Sequence, residues 1–206
     1  MIWLLAILMG IGSFMLARYV VRPRYEARRR QRILPPRFVA LEVHTSGPGL
    51  DKHEVIAVAA IGVRPGVENH PYIHALIKPA AQVPRKAAEA AGTTAEEIAA
   101  QGKPAADVLS ALLEFAGNDR LVLYNASAQM AFLQKLAGKH GVAIDNPVSD
   151  ALSMARAAWP GRSSFKIRDL ARSLNIALPQ RNHPLHECGL IAAVYTEAAL
   201  KLKRAA

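Results

Sequence analysis

Apolar positions divide the chain into three parts. Residues 1–17, MIWLLAILMGIGSFMLA, carry no charged side chain, and Tyr19, Val20 and Val21 continue the run past Arg18. A polar, basic stretch follows and closes at Pro35 and Pro36. From Phe38 onward, short apolar runs alternate with segments of helical period. Phe38–His44 reads as a strand, followed by a Thr45-Ser46-Gly47-Pro48-Gly49 turn and a second, continuously apolar strand over Val55–Val63. Residues 72–77 form a third candidate strand. A helix led by Pro84 is followed by Thr94-Ala-Glu-Glu97, the signature of a capping box. Another helix opens at Pro104 and runs to Phe115. Leu121–Tyr124 reads as a short buried strand, and residues 126–139 as a helix ending before Gly141. Further helices fit 150–159, 166–174 and 184–201. Strands in a meander, then strand–helix alternation, predict an α/β domain with a mixed sheet.

The N-terminal run is long enough to cross a bilayer. At 1.5 Å per residue, 17 to 21 residues span about 26–32 Å, close to the hydrocarbon thickness. No basic side chain precedes the run, and seven arginines follow it within 15 residues: Arg18, Arg22, Arg24, Arg28, Arg29, Arg30 and Arg32. A cleavable signal carries its charge in the opposite order. The positive-inside tendency therefore predicts an uncleaved, single-pass anchor in the inner (cytoplasmic) membrane, with its N-terminus outside and the domain in the cytoplasm. The arginines are read as membrane-surface residues resting on anionic headgroups. The predicted organisation is a transmembrane helix over 1–21, a basic linker over 22–37, a domain over 38–200 and a basic tail over 201–206.

Composition changes this picture in two places. The 206 residues carry a formal charge of +10, but the stretch 18–37 alone holds eight arginines against Glu26, a net +7. The remainder has 18 basic and 15 acidic residues, so the charge belongs mainly to a segment. With 51% apolar residues the chain is not disordered, and one cysteine excludes a disulfide framework or a Cys-rich zinc module. Cys188 reads as a buried small hydrophobe.

The candidate chemistry begins on the first strand. Period-2 alternation puts Glu42 and His44 on one face, just before the Thr-Ser-Gly turn. Here the sequence resembles the DnaQ-like (DEDDh) 3′–5′ exonuclease family of the ribonuclease H-like superfamily. FVALEVHTSGPGLDKHEVIAVAAIGV is similar to the family's first motif, Asp-x-Glu-Thr-Thr-Gly, with its apolar second strand. AAGTTAEEI, LVLYNASAQMAFL, the VSDALSMARAAWPGRSSFKIRDLARSLNI stretch and NHPLHECGLIAAVY resemble the family's later segments, in order, over about residues 38–200. The resemblance implies a ribonuclease H-like mixed sheet flanked by helices, with four carboxylates holding two divalent ions and a histidine acting as base.

The residues at those positions depart from the pattern. Glu42 stands for the first Asp, His44 for the Glu, Gln129 for the second-motif Asp, Asn182 for the histidine and Glu187 for the last Asp. Two carboxylates cannot offset two divalent ions, and an amide takes no proton near neutral pH. The expectation is an exonuclease-like domain without catalysis, binding a nucleotide, a nucleic acid or a protein partner, with no cofactor. The alternatives are an active nuclease or an accessory subunit of a membrane protein complex with a filled cleft. The nuclease would use Glu42, His44 and Glu187 as metal ligands, holding Mn²⁺ or Zn²⁺ rather than Mg²⁺. A register shifted by one residue makes His183 the base. Thr45 and Asn125 match positions beside the terminal nucleotide. His53, His70, His74 and His140 read as loop or surface residues, His186 as a solvated or capping residue, and Asp150 as a helix N-cap.

Overall fold

The computed structural model describes residues 33–178 and 183–205. Five strands form one sheet in the order β3-β2-β1-β4-β5: β1 Phe38–Thr45, β2 Val55–Val63, β3 Tyr72–Leu76, β4 Arg120–Leu123 and β5 Val148–Asp150. β1 pairs antiparallel with β2, and β2 antiparallel with β3. β1–β4 and β4–β5 are parallel. The mixed sheet is the one expected. β2 is apolar at every position because it lies inside the sheet with cover on both faces, and eight of its nine residues are buried.

The seven helices among the described residues are α1 Arg85–Ala90, α2 Ala95–Gln101, α3 Ala105–Ala116, α4 Ala126–Lys139, α5 Ala151–Ala158, α6 Ile167–Ser173 and α7 Pro184–Ala205. One sheet face, with Val39, Leu41, Val43, Val58 and Ala60, packs on α3 and α4 through Leu109, Leu112, Met130 and Leu133. The other face, with Phe38, Ala40, Ala59 and Val63, packs on α7 through Cys188, Ile191 and Tyr195. The rings of Phe38 and Tyr195 meet at 5.0 Å. α5 and α6 join α7 through Ala155, Leu170 and Val194.

Local chemistry sets the helix starts. Thr94 accepts from the Glu97 amide at 3.1 Å, and Glu97 returns the bond to the Thr94 amide, completing the capping box. Asp150 caps α5 by accepting from Leu152 N at 2.9 Å. Asp150 also ends β5, a strand absent from the sequence pattern, which shows only a helix from residue 150. At three residues, β5 is too short to show a period. The third strand stops at Leu76, and Ile77 bridges to Lys103 instead. Arg37, the last residue of the basic run, belongs to the domain. Its guanidinium pairs with Asp119 at 2.5 Å, donates to Phe115 O at 2.8 Å and lies over the Phe115 ring.

No helix among the described residues is long and apolar enough to cross a membrane. The span expected over 1–21 and the seven arginines from Arg18 to Arg32 lie outside the described residues, as does Asn182.

Candidate nucleic-acid cleft

β1 extends past the end of β4. Its ladder to β4 covers Phe38, Val39 and Ala40 only, so the two strands part beyond Ala40 and Val122. Without another partner, the backbone groups facing this gap would go unpaired. Gln129, on the first turn of α4, bridges it. Its Oε1 accepts from Val43 N at 2.8 Å, and its Nε2 donates to Tyr124 O at 3.0 Å and to Glu42 Oε2 at 3.1 Å. A carboxylate here could accept but not donate, so it could not make the last two bonds. The amide therefore bridges the gap between the strands at the position where the resembled family has a metal-binding Asp.

Glu42 faces the α7 side of the sheet in one row with Ala59 of β2 and His74 of β3. Ala59 leaves room beneath the helix, and its carbonyl accepts from the buried Cys188 thiol at 3.1 Å. Burial lifts the Glu42 carboxyl from 4.5 to about 7, the Gln129 hydrogen bond opposes the rise, and the Glu187 charge adds to it. Glu187, in the first turn of α7, is thus brought toward Glu42. It is also engaged by Arg168 of α6, whose guanidinium lies 3.1 Å from Glu187 Oε1. No local sequence signal marked Arg168, since only the packing of α6 on α7 aims it at that carboxylate.

His44 occupies the next row on the same face, and its Nε2 is buried without a hydrogen-bond partner. Burial, then the neighbouring His74, pushes its pKa down to about 4, so it is neutral near pH 7. His74 is a surface residue of β3, and it joins a row of imidazoles. Its ring sits 5.1 Å from that of His183, which is 5.6 Å from His186. Burial and the His183 charge lower its pKa. His183 accepts from Leu185 N through Nδ1 at 3.2 Å. In the neutral ring this bond places the proton on Nε2, which then has no lone pair to act as a base. The first turn of α7 therefore disfavours the role the shifted register gives to His183.

Thr45 and Asn125 flank the cleft. The Thr45 hydroxyl donates to Gly47 O at 2.8 Å within the turn. Asn125 precedes α4 in the left-handed conformation at φ 63°, and its amide donates to Asp150 Oδ1 at 3.0 Å. His53 stays in the loop and bonds Ser46 Oγ at 3.2 Å. The structure thus brings Glu42, His44, Gln129 and Glu187 together, with Thr45 and Asn125 at the edge.

The donors do not fit two Mg²⁺ ions. Glu42 is half protonated near neutrality, Glu187 is matched by Arg168, and Gln129 and His44 bring no charge. Two such ions need hard anionic oxygens close by. Among the described residues, no group of three His, Cys, Asp or Glu side chains is placed to hold a metal.

No protein-family model matches the chain. Over 167 residues it is 26% identical to the PolC-type DNA polymerase III of Clostridium perfringens, covering 81% of this chain and 11% of that one. Over 168 residues it is 24% identical to the DNA polymerase III subunit epsilon of Aquifex aeolicus, covering 81% of this chain and 82% of the relative. Among solved structures, it is similar to E. coli Exonuclease I in complex with a dT13 oligonucleotide, with a TM-score of 0.69 and 17% identity. That match covers 82% of this chain and 42% of the exonuclease. The chain therefore spans about a tenth of the PolC-type relative and less than half of the exonuclease.

Proposed function

We propose that this chain, a homologue of the DnaQ-like (DEDDh) exonucleases on a ribonuclease H-like mixed sheet, binds single-stranded nucleic acid without hydrolysing it and is held at a membrane by residues 1–21. The observation that carries the reading is the triple hydrogen bonding of Gln129. It fastens β1 to the end of β4 and occupies Glu42, so one metal-ligand position serves as a structural bridge. Arg168 on Glu187 does the same electrostatically at the last position. Losing a general base alone removes about 10²–10⁴ in rate, and losing anionic ligands lowers metal affinity further. What the site keeps is a hydrogen-bonding rim, with Thr45 and Asn125 at its edge, which suits binding a strand end.

The basic linker supplies most of the affinity for a polyanion, since 18–37 carries a net +7. Counterion release makes such binding fall steeply with salt. The test is the detergent-solubilised full chain with a labelled single-stranded oligonucleotide in Mg²⁺. Anisotropy should report salt-sensitive binding, and gel electrophoresis should show the strand intact. Mg²⁺- or Mn²⁺-dependent shortening that disappears in the Glu42→Ala/Glu187→Ala double variant overturns the non-hydrolytic reading. Absence of binding at low salt overturns the nucleic-acid reading, and would favour a protein partner in a membrane complex. Membrane attachment is tested separately: the chain should stay in the membrane fraction after a high-salt wash, and a C-terminal reporter active only outside the cytoplasm should stay silent.

A further inference from the structure

The near neutrality of the domain hides a division of charge. Residues 38–150 carry nine basic and twelve acidic side chains, whereas 151–178 carry five basic residues against Asp169. The last turns of α7 add Lys201, Lys203 and Arg204. Folding brings part of this excess together around a hollow of about 390 Å³ between the ends of α5, α6 and α7, lined by Trp159, Leu174, Glu197, Leu200, Lys201 and Arg204. Arg162 lies beside it, against one of its lining residues. Its guanidinium lies 5.7 Å over the Trp159 ring and donates to Ser173 Oγ.

The hollow sits beside the point where the described chain begins. Glu197 also lines a neighbouring depression of about 310 Å³, whose walls include Leu34, Ile61, Pro65 and Val67. Leu34 is 6% exposed there, and Val67 is 48% exposed at the rim. The residues before Ile33 are the arginine-rich linker and the apolar run. The domain's cationic hollow and its tether therefore leave from the same end of the fold.

We propose that this hollow binds the phosphodiester headgroup of an anionic phospholipid, docking the α7 end of the domain on the bilayer. This proposal rests on the membrane-anchored reading. Lys201 and Arg204, with Arg162 beside Trp159, outnumber the Glu197 carboxylate and supply donors and charge for the phosphate, and Trp159, Leu174 and Leu200 form the apolar floor that a glycerol backbone and first methylenes require. Tryptophan favours this interfacial depth, with an apolar ring and one polar edge. A nucleic-acid strand fits less well. Among the described residues, Trp159 is the one aromatic ring lining the hollow, whereas binding of single strands without sequence preference stacks successive bases on several rings.

The full chain has two tryptophans, so Trp3→Phe leaves Trp159 as the only reporter. Reconstituted in lipid nanodiscs, this variant should show Trp159 fluorescence quenched by brominated phosphatidylglycerol, and several-fold less by brominated phosphatidylcholine. Lys201→Glu/Arg204→Glu should abolish that difference while leaving the chain in the discs and the domain folded by circular dichroism. Equal quenching by the two lipids, or none by either, overturns the headgroup site. If the chain does not enter discs at all, the anchored reading fails. Flotation with phosphatidylglycerol vesicles then decides the site, which requires binding that the double charge reversal lowers several-fold. Shielding of Trp159 by a single-stranded oligonucleotide but not by phosphatidylglycerol reassigns the hollow to nucleic acid and overturns the lipid assignment.

Discussion

The two faces of β1 differ in what their burial does. Toward α3 and α4 the strand presents Val39, Leu41 and Val43, all 6% exposed or less, within the largest apolar cluster. Toward α7 it presents Phe38 and Ala40, then Glu42 and His44, so the same strand passes from core into site within two alternations. On the first face burial stabilises directly through apolar area. On the second it acts on ionisable groups, raising Glu42 and lowering His44 so that both tend toward neutrality near pH 7. One face makes the domain stable, and the other spends part of that stability on a polar cleft.

Truncating the apolar face should have the largest effect. Leu41 is fully buried, and Leu41→Ala is expected to destabilise the domain by about 2–5 kcal/mol in urea denaturation. A cost well below that range would mean that β1 is not the centre of the core.

The polar face should respond through pH. The fold holds Glu42 protonated where the unfolded chain has released its proton. Its contribution is therefore complete below pH 4.5 and is lost as pH rises to about 7. His44 is held neutral where the unfolded chain takes up a proton, so its contribution is present above 6.5 and is lost as pH falls through about 4. The two windows overlap, so the opposed changes nearly cancel between pH 4.5 and 6.5 and the melting temperature should stay flat there. Glu42→Gln should unmask the His44 limb, a loss of about 3 kcal/mol as pH falls from 6.5 to 4, and His44→Gln the Glu42 limb, a loss of similar size as pH rises from 4.5 to 7. A pH profile that neither variant changes would show that burial does not shift these groups.

Gln129→Ala should cost about 1–3 kcal/mol, because it leaves Val43 N and Glu42 without their partner. Amide exchange at Val43 should quicken with it. Introducing the residues of the resembled family through His44→Glu, Gln129→Asp and Asn182→His should give Mg²⁺-dependent shortening of an oligonucleotide, measured by gel electrophoresis. The smallest effect is expected far from both faces. Thr94→Ala removes a cap and should cost about 1 kcal/mol, with no change in either pH limb.

Most of the frame was legible from residue order. The nine apolar residues of β2, the Thr94 capping box and the Asp150 N-cap are local signals, and each appears where pattern or capping chemistry put it. β5 was not legible, since a three-residue strand has no period and takes its identity from pairing with β4. The motif positions identified Glu42, His44, Gln129 and Glu187 as neighbours, but not what they do to one another.

Sequence alone therefore determined the mixed sheet, the placing of the cleft residues and the concentration of charge before Phe38, because these depend on periodicity, motif spacing and composition. Only the tertiary structure decided that Gln129 spans the parting of β1 and β4, that Arg168 meets Glu187, and that Lys201 and Arg204 line one hollow with Trp159. Each of these joins residues far apart in the chain through the packing of separate elements. Hydrogen bonds and ion pairs act over a few ångströms of space, and spacing along the chain does not encode that distance.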